Sequence, residues 1–446
     1  MNPTVARPAH PTDRNRTPAG RPANPDGDRD RAVDGLRAYA IAGVVLGHWL
    51  VTALVLAPDG ALRTASPLRA MPELVPVTWL LQTLGLFFFV SGYASARSLR
   101  AAAGRGVDPG PWLRQRLGRL VRPVTVLLGG WAVVLAGAAV LGVPEATLRT
   151  AGTLLVSPLW FLLPLTVLFA LTGPLSRALD RYGPVRPTAL AVAVVGLTDL
   201  IGRLAGPDGG AGPGDGAWRV PVALLAAWLV PYLLGIALAR DASVGRVGHR
   251  RTGWLLLLGG AAGMAALVLL ADYPASAVGV PGDGVSNLDP PSLFTVCLAL
   301  AQVGVALLVR PALAGWLARP DRWRPVRRVN RAAMAVYLWH QSTLLGVTAL
   351  AALGARAVGL DGVPGLHTVP DGAGWLVARL AWLPLFCLVL AGLVGRSAAG
   401  ADRDAADRAG VAADRRRGGP VLPRRRMTDS PEHVGQFQPD DRPGVR

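Results

Sequence analysis

Leu36 to Ala57 reads "LRAYAIAGVVLGHWLVTALVLA", twenty-two residues with one titratable side chain, His48, past the middle of an otherwise apolar run. A helix of about 20 apolar residues crosses the ~30 Å hydrocarbon core of a bilayer. Windows of the same kind recur at 76–96, 123–143, 154–173, 187–205, 218–239, 253–271, 292–314, 332–354 and 374–395, ten in all. With 51% hydrophobic residues and a positive mean hydropathy, the pattern predicts an all-α, polytopic membrane helical bundle of about ten transmembrane helices.

Every one of the 46 basic residues is Arg, and they alternate between successive loops. With Arg379 inside the last span set apart, they number 39 against 6 on the two sides. Positive charge is retained in the cytoplasm, so both termini are expected there. The net charge of +18 follows from this topology and not from nucleic-acid binding, since the arginines lie in short loops and tails without a basic folded module. The tails 1–30 and 397–446 are expected to be disordered, flanking a transmembrane domain at 31–396. Residues 1–30 hold no apolar stretch, so the first span is expected to act as the insertion signal. Cys297 and Cys387 both fall within spans, and no Cys/His spacing suggests a metal.

An ionisable side chain inside a span is costly and calls for a reason. Of six histidines only His48 and His340 lie in spans. Both spans start in the cytoplasm, which puts His48 ~18 Å and His340 ~12 Å deep at 1.5 Å per residue, close enough in depth to share a cavity. Arg37 precedes His48 by eleven residues, within about 20° of three full helical turns, so the two project from one face. Tyr337 lies one turn before His340 on its face. Asp34 is expected to cap the first helix. In "TLGLFFFVSGYASARSL" the Ser91-Gly92 pair allows a ligand or backbone to approach closely. In "WLRQRLGRLVRP" Arg116, Arg119 and Arg122 form a guanidinium ladder if the segment is helical, a fitting surface for phosphates.

Arg37-x10-His48, "FFFVSGY" (87–93), Arg116-x-x-Arg119, "LWFL" (159–162) and "VYLWH" (336–340), in that order on ten spans, resemble the acyltransferase 3 family of integral-membrane acyltransferases. The resemblance covers residues 31 to about 396. It implies transfer of an acyl group, in particular acetyl, from cytoplasmic acyl-coenzyme A to a hydroxyl of a glycan or glycosylated small molecule. His48 is then the catalytic histidine and Arg37 its partner, with His340 and Tyr337 as further catalytic candidates. Arg116, Arg119 and Arg122, with Ser91 and Gly92, are the candidate donor-binding positions. Acyl-CoA enters as co-substrate, with no bound cofactor and no metal; the partners are the lipid bilayer, the donor and the acceptor, with no nucleic acid. Residue usage typical of GC-rich coding suggests a bacterial plasma membrane.

Imidazole titrates near neutrality and suits a base that must take a proton from an alcohol. A second reading is a proton-coupled secondary transporter relaying protons through His48, His340 and Asp199. It predicts inverted repeats, and no repeat is discernible.

Overall fold

The computed structural model describes residues 30–205, 218–240, 246–282, 284–360 and 362–416. The helices are α1 (Arg31–Val51), α2 (Val75–Leu81), α3 (Leu84–Ala103), α4 (Pro109–Val140), α5 (Glu145–Val156), α6 (Leu162–Tyr182), α7 (Val185–Leu204), α8 (Arg219–Arg240), α9 (Arg246–Leu270), α10 (Leu293–Trp316), α11 (Pro320–Ala357) and α12 (Ala373–Arg416). Among the described residues the one sheet is the antiparallel hairpin β1 (Ala53–Leu56) and β2 (Leu62–Ala65). The chain divides at Gly395 into two units, and all of α1 to α11 lies in the first. The protein is an all-α polytopic membrane bundle.

With α2–α3 and α5–α6 each taken as one rod, eight helices among the described residues are long and apolar enough to span a membrane. The two long helices that fall short are α1 and α11, which carry His48 and His340. Their inward polar residues account for this: in α11 the run His340, Gln341, Ser342, Thr343 is buried throughout. The other helices sort into two groups by burial. Helix α4 is 6% buried over its apolar stretch, and α7, α9 and α12 are 17% buried, against 44–56% for α3, α5–α6, α8 and α10. The first group presents its Leu and Val side chains outward, where lipid replaces protein; the second, with α1 and α11, holds the site.

Two glycines let α3 and α8 touch backbone to backbone. A Cβ at Gly92 would collide with the carbonyl of Tyr232, and one at Gly235 with the carbonyl of Phe89. The phenylalanine triplet packs inward from the same helix: Phe88 and Phe89 are fully buried, and Phe88 stacks on Trp228 with centroids 5.0 Å apart.

Two sequence expectations are corrected here. The first span does not run helical to Ala57: α1 ends at Val51, Thr52 is extended, and 53–56 pair with 62–65 across Pro58-Asp59-Gly60. Pro presets the turn, and Gly60 takes a φ of 77° that a side chain resists. The N-cap of α1 is Asp30 and not Asp34, for Asp30 accepts the backbone N–H groups of Ala32 and Val33. Asp30 also holds Arg310 at 2.6 Å and accepts from the Tyr93 hydroxyl at 3.3 Å, which ties the start of α1 to α3 and α10.

Candidate active site

Helix α1 is held at both ends, and that fixes the height of His48 in the bundle. At its C-terminal end the carbonyls left without helical partners meet a buried cation. Arg379 of α12 donates from Nε to the Trp49 carbonyl at 2.7 Å, from Nη2 to the Thr52 carbonyl at 2.6 Å and from Nη1 to the Gly365 carbonyl at 2.9 Å. Its guanidinium also lies over the rings of Trp375 and Phe386.

His48, in the last turn of α1, is partly exposed to a cavity of 280 Å³ formed with Gly47, Thr52, Gln82, Ser157 and Gln341 and walled by Val51, Leu81, Leu84, Leu154 and Leu288. No Asp, Glu, Lys or Arg lines this cavity. Behind His48 lies His340 of α11, fully buried, with ring centroids 5.1 Å apart and planes tilted by 42°. The fold brings the two histidines together, because α1 lies along α11 and Trp49 Nε1 donates to the His340 carbonyl at 3.0 Å, but of the two only His48 lines the cavity.

Hydrogen bonds fix the state of His340. Its Nδ1 is 2.5 Å from the Tyr337 carbonyl, and a carbonyl only accepts, so the proton of neutral His340 sits on Nδ1. The other nitrogen, Nε2, is buried with no partner. Tyr337 does not bond His340 through its hydroxyl. That hydroxyl donates to the Pro158 carbonyl in the turn Ser157–Phe161, and the ring packs edge-on to Phe161 at 4.6 Å. Tyr337 thus joins α11 to the α5–α6 turn.

Gln341 has no place among the sequence-derived candidates. Its Nε2 lies 3.2 Å from His48 Nδ1, and its Oε1 is buried without a partner. The available signal was its position next to His340 in "WHQST", a polar run within a span.

The arginines occupy the opposite end of α1. Arg116 turns into the bundle: Nη2 donates to Ser95 Oγ at 3.1 Å, and its guanidinium lies 4.5 Å from the Phe169 centroid and 5.3 Å from that of Trp112. Its Nε is buried without a partner. Arg37 and Arg119 are near enough to act on it electrostatically, as is Tyr232, whose hydroxyl shares a 2.8 Å hydrogen bond with Thr172. Arg119 and Arg122 are exposed. The ladder is therefore split, with one guanidinium anchored inside and two on the surface. Ser91 is half-buried, and Gly92 faces the Tyr232 backbone, which gives the glycine a packing contact. Arg37 and His48 are separated by eleven residues, ~16 Å along α1.

Asp199 stands apart from this constellation. Its Oδ2 accepts from the Tyr273 hydroxyl at 2.9 Å and from the Leu293 backbone N–H at 2.7 Å, so it caps α10. Arg203 donates to the Ala271 carbonyl at 2.6 Å and lies over the Tyr273 ring. Among the described residues no cluster of His, Cys, Asp or Glu could hold a metal ion.

A charge-free cavity thus reaches a histidine pair from one end of the bundle, and a partly buried arginine cluster occupies the other. The family model described as an acyltransferase domain, that of the acyltransferase 3 family, matches residues 30–395. No curated protein matches the chain, and neither does any solved structure.

Proposed function

The chain belongs to the acyltransferase 3 family, and on that premise we propose that this membrane acyltransferase moves an acyl group, acetyl in the first instance, from acyl-CoA to a hydroxyl of a glycan or glycosylated small molecule. The observation that carries this reading is His48 in the wall of a cavity without Asp, Glu, Lys or Arg, with His340 packed behind it. Arg116, Arg119 and Arg122 take the phosphates of the donor. Guanidinium suits that task because it stays charged and binds phosphate oxygens in pairs. The ~16 Å along α1 from Arg37 to His48 suits an extended pantetheine arm. The cavity at the other end of α1 admits the acceptor; its amides, hydroxyls and aliphatic walls suit a neutral, polyhydroxylated surface.

In the reaction the acceptor oxygen attacks the thioester carbonyl while its proton passes to His48. The carbon–sulfur bond then breaks, and the proton goes to the departing thiolate, leaving an ester and free coenzyme A. An alcohol at neutral pH is too weak a nucleophile without that proton transfer. His340, with its proton held on Nδ1 by Tyr337, backs His48 with an unpartnered Nε2 lone pair. The bundle sits in the plasma membrane with the arginine end in the cytoplasm.

The test is binding and slow hydrolysis of acetyl-coenzyme A by the purified protein in nanodiscs. His48→Ala is expected to bind the donor and to lose hydrolysis by about a hundredfold or more. An Arg116→Ala/Arg119→Ala variant is expected to lose binding. Absence of binding by the wild type would reject the donor assignment.

A further inference from the structure

His48 can act as a base only if the right ring nitrogen is free at the right moment. A neutral imidazole carries one proton, and the partner of one nitrogen decides which tautomer is present. In this structure the hydrogen bond that reaches the ring comes from Gln341, with Nε2 of the amide donating to Nδ1 of His48 across 3.2 Å. With Nδ1 accepting, the ring proton is on Nε2, and the ring has no free lone pair to offer. The base-ready tautomer is the other one, with Nδ1–H and a bare Nε2, and it needs an acceptor beside Nδ1.

Gln341 holds such an acceptor. Its Oε1 is buried and without a partner, and the residue is 2% exposed. A half-turn about the last side-chain bond exchanges Oε1 and Nε2 in place. It converts the donor at Nδ1 into an acceptor with no movement of α1 or α11. In either setting one amide group stays unpartnered in dry surroundings, so the count of hydrogen bonds favours neither and both stay accessible. This deepens the reading of His48 as base and rests on it. We propose that Gln341 is a positioning residue whose amide sets the tautomer of His48, turning its oxygen to Nδ1–H so that Nε2 can take the proton of the acceptor hydroxyl.

When Nε2 receives that proton, His48 becomes an imidazolium and its Nδ1–H remains on Oε1 of Gln341. When the thiolate recovers the proton, the ring is neutral again. Among the residues lining the cavity His48 is the one titratable group; His340, packed behind it on α11, is the other group whose charge it meets. No carboxylate lines the cavity to do the same work as the Gln341 oxygen.

The experiment uses the full-length protein in nanodiscs, with acetyl-coenzyme A as probe, in wild type, Gln341→Met, Gln341→Glu and His48→Ala. Methionine keeps the volume and removes both polar groups. It is expected to lower kcat for hydrolysis about tenfold to a hundredfold, the worth of a hydrogen bond to a charged partner, with KM little changed. Glutamate supplies a permanent acceptor and stabilises the imidazolium, so the acid limb of the pH profile is expected to move to higher pH. Nitrogen-15 spectra of histidine-labelled protein, with the His48 signals identified by their loss in His48→Ala, are expected to show a changed tautomer balance in Gln341→Met.

Wild-type kcat and pH profile in both Gln341 variants, with His48→Ala inactive, would overturn the role of Gln341 and leave His48 as base. Activity in His48→Ala would overturn the base itself. The spectra decide separately from activity: unchanged His48 signals in Gln341→Met would overturn the inference whatever the assay shows.

Discussion

At the scale of single residues, the side chains that govern this protein are polar groups that a bilayer should exclude, each held by a stated partner. Arg379 satisfies three carbonyls that would otherwise be left at the end of α1 and in the loop between α11 and α12. Arg379→Leu is expected to lower stability by about 3 kcal/mol, read as a fall in the thermal unfolding midpoint in detergent. Arg379→Lys should recover only part of it, since an ammonium cannot reach three carbonyls in the same plane. His367, in the loop after α11, is locked in the neutral form. Its Nε2–H donates to the Thr348 carbonyl at 2.9 Å and its Nδ1 accepts the Val363 N–H at 3.2 Å. Burial holds its imidazole below the ordinary histidine range, against an opposing pull from the Thr348 carbonyl. The unfolded chain therefore takes up this proton first. The stability that His367 contributes is complete above about pH 6.5 and is lost as pH falls below it. Unfolding midpoints measured from pH 8 to pH 5 should drop over that window in the wild type and stay flatter in His367→Gln.

At the scale of elements, the bundle depends on close backbone contact between α3 and α8. Gly92 faces the Tyr232 carbonyl and Gly235 the Phe89 carbonyl, so any side chain must push a helix aside instead of turning a rotamer. Gly235→Leu is expected to cost at least about 3 kcal/mol, seen as loss of monodisperse protein on size exclusion, whereas Gly130→Leu on α4, with open space at its Cβ position, should be tolerated. Hydropathy placed α7, α8 and α10 to within two residues but set the starts of α4 and α11 more than ten residues late, and it failed where backbone hydrogen bonding overrode it. The stretch 52–57 is as apolar as the helix before it, yet the turn at Pro58-Asp59-Gly60 folds it back as a strand. The same measure ranks α1 and α11 below the other long helices, because the polar residues that make the site dilute their apolar character.

At the scale of the whole molecule, the two ends of the bundle differ in chemistry. One carries Arg37, Arg116 and Arg119, and the other an uncharged cavity at His48. If the arginine end is cytoplasmic, a cysteine at Arg122 should react with an impermeant maleimide from the cytoplasmic side of oriented vesicles only, and one at Thr52 from the opposite side only. Cys297 and Cys387 would first be replaced by Ala to clear the background. Labelling of both positions from one side would overturn this orientation.

The amino-acid sequence by itself determined the class of fold, because the length and spacing of apolar runs and the alternation of Arg between loops are properties of the chain alone. It also singled out His48 and His340, since a polar residue in a span stands out against its neighbours whatever the fold, and Arg37 and Arg116 by their spacing to His48 and to Arg119. Only the tertiary structure decided how these are used. That Tyr337 bonds Pro158 and not His340, that Arg116 turns inward while Arg119 and Arg122 do not, and that Gln341 and Arg379 hold α1 are matters of which helix lies beside which. Helical periodicity fixes the face on which a residue stands. What that face meets depends on contacts between residues hundreds of positions apart, which no local pattern encodes.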